Sequence, residues 1–168
     1  MAQPKEIFVK SERCLGCMSC MIACSVEHSP GKTLFSAIAE PVVPKSRVYV
    51  EWAPPAKKIP LVCRQCEDAP CMFACISGAI SRNDDGTVVT DADKCIGCWT
   101  CVMVCPYGVI GRDIDAGKAY RCDRCPDRDI PACVHACPTG ALLYETVPDY
   151  SKSMRQKASE ELARAEGE

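Results

Sequence analysis

Sixteen cysteines in a chain of 168 residues limit what this sequence can fold into more than any other feature. They form four groups of four with none left over: Cys14, Cys17, Cys20 and Cys24; Cys63, Cys66, Cys71 and Cys75; Cys95, Cys98, Cys101 and Cys105; and Cys122, Cys125, Cys133 and Cys137. The first and third groups share the spacing C-x2-C-x2-C-x3-C, while the second and fourth widen its middle interval to x4 and x7. A disulfide framework could use so many thiols, but such frameworks belong to oxidising compartments. The chain opens Met1-Ala-Gln-Pro-Lys-Glu-Ile-Phe8, with neither the apolar stretch of a secretory signal nor a twin arginine. A reducing, cytoplasmic location is therefore expected, and with it a metal-binding use of the thiols.

The spacing selects the metal. Three cysteines at intervals of three sit on one tight loop, so their sulfurs converge on a single iron–sulfur cube. The fourth, four residues on, is expected at the start of a helix, where it points to a neighbouring cluster, so the groups are expected to work in pairs. Structural zinc sites instead combine two C-x2-C knuckles across a longer stretch. Four cysteines within the eleven residues Cys14–Cys24 are too crowded for one zinc tetrahedron. All sixteen cysteines are accordingly predicted iron ligands of four [4Fe–4S] clusters.

An internal repeat supports that reading. Cys14-Leu-Gly-Cys-Met-Ser-Cys-Met-Ile-Ala-Cys24 resembles Cys95-Ile-Gly-Cys-Trp-Thr-Cys-Val-Met-Val-Cys105, and Ala69–Ile80 resembles Pro131–Leu142. The chain reads as a duplicated unit of two groups. Gly16 and Gly97 share one loop position, where glycine permits a left-handed turn and a close approach of backbone N–H groups to sulfur. Arg13, Lys94 and Arg121 each precede the first cysteine of a group, and Arg64 follows Cys63. An oxidised four-cysteine cluster carries about −2, so each of these cations is either a tuning charge or an ordinary solvated side chain. Pro106 and Pro138 follow the fourth cysteines of groups three and four, where the ferredoxin motif has proline; Ser25 and Ile76 stand there in the other two. His28 and His135 are not needed as ligands once the cysteines complete four sites. Trp99, inside the third loop, is expected to pack against a cluster.

Other function classes find little support. The formal charge is −2, from 20 basic and 22 acidic side chains, without the clustered basic face of a nucleic-acid binder. No apolar run approaches the roughly 20 residues of a transmembrane helix. No catalytic constellation stands apart from the cysteines, and no group lacks a ligand, as a substrate-activating cluster would.

The expected architecture is α+β: two ferredoxin-like modules in tandem, with short strands and helices around a line of clusters. Residues 1–144 would form the four-cluster domain, with pseudo-repeated halves 10–80 and 91–142 and an inserted β segment at about 26–62. Strands are expected at Lys5–Lys10, at Arg47–Trp52 ended by Pro54-Pro55, and at Thr87–Thr90 after the turn Asp84-Asp85-Gly86. Met18–Glu27 is a helix candidate, and short helices are expected after Cys71, Cys101 and Cys133. In the tail, 145–168, Met154, Ala158 and Leu162 recur every four residues and Glu160 faces Arg164, which predicts a helix over Ser151–Ala165.

The groups from Cys14 to Cys137 resemble the four-cluster ferredoxin-type electron-transfer subunits. These accompany dimethyl sulfoxide reductase, formate dehydrogenases, formate-linked hydrogenases, carbon monoxide dehydrogenase and tungsten aldehyde oxidoreductases. The likeness covers about three quarters of the chain, and the run Ala23–Ser29 is most like the soluble carbon monoxide dehydrogenase or aldehyde oxidoreductase type. The resemblance implies crossed pairing, group one with four and two with three. One cluster would take Cys14, Cys17, Cys20 and Cys137, and a second Cys122, Cys125, Cys133 and Cys24. A third would take Cys63, Cys66, Cys71 and Cys105, and the last Cys95, Cys98, Cys101 and Cys75. It also implies a non-catalytic subunit that passes single electrons between a larger catalytic redox subunit and a second carrier. A free-standing polyferredoxin serving several enzymes is the alternative.

Overall fold

The computed structural model describes residues 4–165. From the N-terminus, β1 (Lys5–Val9) leads through a 3-10 turn at Ser11–Arg13 into the first cysteine loop and α1 (Ser19–Glu27). Then follow α2 (Leu34–Ala39), β2 (Tyr49–Ala53), β3 (Lys57–Leu61), α3 (Pro70–Phe73), β4 (Ile80–Arg82) and β5 (Val88–Thr90). The second part of the chain gives α4 (Thr100–Val104), β6 (Gly111–Asp113), β7 (Lys118–Tyr120), α5 (Ala132–His135), β8 (Leu142–Thr146) and α6 (Val147–Ala165). Mixed short strands and helices are what the sequence predicts, but α2, β3, β4, β6, β7 and β8 are elements it did not single out.

Local chemistry accounts for the boundaries. Thr33 caps α2 by accepting from the Ser36 N–H at 3.2 Å, while the Ser36 hydroxyl accepts from the Thr33 N–H at 3.3 Å. Pro70 opens α3 at a position where no intrahelical N–H bond is lost. In the β4–β5 connection Gly86 takes φ +83°, and Asp85 accepts from the Thr87 N–H at 2.9 Å. Pro54 and Pro55 end β2 as expected, but the chain then turns straight back into β3.

The strands form four antiparallel two-stranded ribbons, β1–β8, β2–β3, β4–β5 and β6–β7. The ribbon β1–β8 runs in register from Lys5 opposite Thr146 to Val9 opposite Leu142 and joins the two ends of the cysteine-bearing chain. The helices follow the same rule: α1 packs on α5, and α3 on α4. Two cores result. The first gathers Ile7, Val48, Val50, Val62 and Leu142 around Cys20, Cys24, Cys122 and Cys133. The second gathers Ala69, Ile80, Val88, Ile110 and Ala119 around Cys71 and Cys101. The first core therefore draws on both ends of the chain, and the second comes from one continuous central stretch. The β2–β3 ribbon supplies Val50 to the first core.

Neither core is large. The bulkiest wholly buried side chains are Leu142, Val48, Val88, Val109 and Pro131. Phe35, Phe73 and Met103 lie exposed. At about 1.5–3 kcal/mol for each fully buried aliphatic side chain, such cores need the cysteines and what they bind.

The tail helix α6 begins earlier than predicted, at Val147, because Thr146 caps it by accepting from the Asp149 N–H at 3.3 Å. It buries none of its residues, and Tyr150 docks it on the body, stacked on Phe8 with ring centroids 3.9 Å apart and with Lys10 Nζ 5.6 Å from its ring. The expected Glu160–Arg164 pair does not form; the ion pair among the described residues of this helix is Lys157–Glu161 at 3.7 Å. Long exposed side chains have several partners within reach, and spacing does not select among them.

Candidate metal centres

Each cysteine group is built on the same backbone device. The residue before the second cysteine takes a left-handed conformation in all four: Gly16 (φ +71°), Gln65 (+51°), Gly97 (+70°) and Arg124 (+62°). That turn curls the loop so that its first and second sulfurs face one point. The third cysteine is then the second residue of a helix: Cys20 in α1, Cys71 in α3, Cys101 in α4 and Cys133 in α5. The fourth follows four residues later, one helical turn on. It therefore lies at the far end of the short helix and not at the start of one, as the spacing had suggested. Cys24 is inside the longer α1, Cys105 caps α4, and Cys75 and Cys137 lie just past α3 and α5.

The packing of α1 on α5 and of α3 on α4 brings each fourth cysteine to a loop other than its own. Cys14, Cys17, Cys20 and Cys137 line one cavity together with Leu15, Val50 and Pro138. Cys75, Cys95, Cys98 and Cys101 line a second with Ile80 and Trp99. Cys63, Cys66, Cys71 and Cys105 line a third with Pro106 and Val109. Cys122, Cys24 and Cys125 each raise the Cys133 thiol beyond the effect of its burial, so the last set of four is also gathered in one place. Pro106, Pro138 and Trp99 thus wall cavities.

Burial sets the electrostatics. It pushes the thiols of Cys20 and Cys125 up to about 11 and that of Cys122 up to about 12, with neighbouring thiols adding to the effect. Thiolates in these pockets require a cation. The outer positions are different. Cys17 and Cys98 are exposed, and hydrogen bonds from Ser19 and Thr100, each two residues on, hold their thiols below the ordinary range. Burial raises Cys75 and Cys137, but hydroxyl and N–H donors more than offset it. Ser77 with the N–H groups of Ala79 and Ile80 serves Cys75, and Thr139 with those of Ala141 and Leu142 serves Cys137. The Ala141 N–H donates to Cys137 Sγ at 3.2 Å. The repeated stretch Ser/Thr-Gly-Ala-Ile/Leu after these two cysteines carries the signal for that nest of donors, although its role is not legible from the repeat alone.

The histidines and cations separate clearly. His135 is exposed. His28 is half-buried, with Nε2 3.1 Å from Asp123 Oδ1 and Nδ1 2.7 Å from the Cys24 carbonyl oxygen. Burial pulls its pKa down, but these acceptors raise it to about 9, so both ring nitrogens donate. Asp123 also binds Arg47, and its carboxyl is held far below the usual range against the effect of burial. Neither Asp123 nor Arg47 was signalled by spacing. Of the four flagged cations, Arg13, Arg64 and Lys94 are exposed and Arg121 is buried on sulfur.

Residues 56–146 match the 4Fe-4S dicluster domain family, and residues 11–27 match a 4Fe-4S binding domain. An iron–sulfur protein of Rhodospirillum rubrum is 38% identical over 177 residues, covering 95% of this chain and 91% of that protein. The chain belongs to the ferredoxin-type iron–sulfur electron-transfer family. Within this family, the electron transport protein HydN of Escherichia coli K12 is 40% identical over 157 residues, covering 82% of this chain and 85% of HydN. The thiosulfate reductase electron transfer subunit PhsB of Salmonella typhi is 33% identical over 169 residues, covering 91% and 81%. The donors present suit the family's [4Fe–4S] groups: thiols four to a cavity, apolar walls that limit water, and N–H and O–H donors aimed at sulfur. No described helix is long and apolar enough to cross a membrane.

Proposed function

We propose that the chain binds four [4Fe–4S] clusters on the crossed sets Cys14/17/20/137, Cys24/122/125/133, Cys63/66/71/105 and Cys75/95/98/101, and works as a non-catalytic cytoplasmic subunit. It relays single electrons between a larger redox enzyme, of the molybdenum, tungsten, carbon monoxide dehydrogenase or hydrogenase kind, and an external carrier. The observation that carries this reading is that sixteen cysteines divide into four convergent sets with none to spare. When bound, each cluster supplies a site that gains or loses one electron without a change of ligands.

The chain's own residues do the rest. The loops fix three sulfurs of each set, and the helix ends deliver the fourth from another group. Apolar walls keep the inner sites in a low dielectric, where charge changes are strongly felt. Exposed Cys17 and Cys98 belong to different sets and mark the two places where an electron enters or leaves. The names of the relatives support an electron-transfer role beside a reductase.

Anaerobic metal analysis of the full chain should return about 16 Fe per chain, four for each of four clusters. A result of mostly zinc, or of about half that iron, overturns the four-cluster reading. A stable complex with a larger redox subunit is expected on anaerobic purification. A monodisperse monomer active with several enzymes would select the polyferredoxin alternative.

A further inference from the structure

Four cations flank the cysteine groups in similar sequence positions, and three of them face water. Lys94 pairs with Asp91 at 3.1 Å, Arg64 lies 5.9 Å from the Tyr107 ring centroid, and Arg13 is exposed. Arg121 is 3% exposed. Its Nη1 donates to Cys71 Sγ at 3.1 Å and its Nη2 to Cys63 Sγ at 2.9 Å. Among the described residues no carboxylate lies within ion-pair distance of it, and its Nε is buried without a partner. A buried guanidinium without a carboxylate is costly unless another anion repays the lost hydration. The anions that face it are cysteine sulfurs.

Those sulfurs are not the ones next to it in sequence. Arg121 precedes Cys122, yet it serves the cavity of Cys63, Cys66, Cys71 and Cys105. Gln65 holds it there. The Gln65 Oε1 accepts from Arg121 Nη2 at 3.5 Å and from the Val88 N–H at 2.8 Å, and its Nε2 donates to the Cys122 carbonyl at 3.0 Å. Gln65 occupies the left-handed loop position that is glycine in two other groups, so its side chain is kept there at the expense of backbone strain. The cations near Cys24 differ, because His28 and Arg47 share the carboxylate of Asp123.

We propose that Arg121 is a potential-setting residue that selectively raises the reduction potential of the cluster held by Cys63, Cys66, Cys71 and Cys105. This rests on the proposed assignment of that cluster to those four cysteines. On reduction the cluster with its thiolates passes from about −2 to about −3 by taking one electron from an external one-electron donor, with no bond made or broken. Two N–H···S bonds and a full positive charge in a dry site stabilise the more negative state. The site is thereby favoured as a resting place for the electron.

The test is potentiometric titration of the full, cluster-loaded chain, followed by electron paramagnetic resonance. Arg121→Met should lower one midpoint and leave the others in place, and the signal that moves should be the one Cys66→Ser perturbs. Arg121→Lys, which keeps the charge but offers a single donor point, should lower the same midpoint by less. Full iron content with no midpoint moved, or an equal fall in all of them, overturns the proposal. If the methionine variant fails to load iron, the lysine variant decides. Guanidino-15N-labelled arginine in the unaltered protein gives a further check: nitrogen coupling is expected at that one cluster, and its absence is equally fatal. If Cys66→Ser changes neither iron content nor any signal, the cluster assignment itself fails, which is a different result from an unmoved midpoint.

Discussion

Glycine at the cysteine loops is required to different degrees at its two repeated positions. A Cβ on Gly97 would lie 2.5 Å from the Gly117 carbonyl oxygen, which belongs to backbone and cannot move aside cheaply. A Cβ on Gly16 would meet Lys58 Cγ at 2.8 Å, a side chain that can rotate where backbone cannot, at the loss of its position over the Trp52 ring. Both substitutions also force a side chain into a left-handed conformation. Gly97→Ala is therefore expected to lower stability by about 2–3 kcal/mol and Gly16→Ala by about 1 kcal/mol, read as unfolding midpoints of the cluster-loaded protein. Equal losses would mean that φ alone matters. The two glycines were legible in the sequence because only that residue type suits such a turn without strain. Gln65 and Arg124 in the equivalent places were not, because neither residue type betrays a left-handed φ. Arg121 looked like its three counterparts for a related reason: spacing puts a cation near a loop and says nothing of which way it points.

Short elements are set by their partners and long ones by their own pattern. The nine-residue α1 and the strand β1 were legible from local sequence. The three-residue strands β6 and β7 carry too few side chains for periodicity and exist because they pair with each other. The strand β8 is fixed by β1 more than a hundred residues earlier, a pairing that propensity cannot detect. Tyr150 anchors the tail helix α6 through its stack on Phe8 and its contact with Lys10. Tyr150→Ala should cost about 0.5–1.5 kcal/mol and detach the helix, seen as faster amide exchange along α6 with iron content unchanged. Loss of iron in that variant would show that the helix supports the cysteine body and is not an appendage to it.

On the scale of the whole molecule, the cysteines and their inorganic load take the place of a conventional core. The sequence showed this in its scarcity of aromatic residues, and the packing agrees, since no aromatic side chain is among the largest wholly buried. Removing iron anaerobically with a strong chelator should abolish cooperative unfolding, because buried thiols without a cation leave both cores underfilled. A chelated protein that keeps a sharp thermal transition would contradict this. The convergence of four cysteine sets was foreseeable as pairing. Which group serves which came only through resemblance to a family, because contact between distant helices leaves no local mark.

The pairing of β1 with β8 has a consequence in time. A chain leaves the ribosome N-terminus first, and the second core lies within one continuous stretch from Ala69 to Ala119. That stretch emerges whole before the partners of the first strand and first helix, β8 and α5, have left the ribosome. The first cysteine loop, although made earliest, cannot meet Cys137, which lines the same cavity, until the C-terminal part of the chain has emerged. Folding is thereby ordered from the middle outward, the central core free to close before the terminal one.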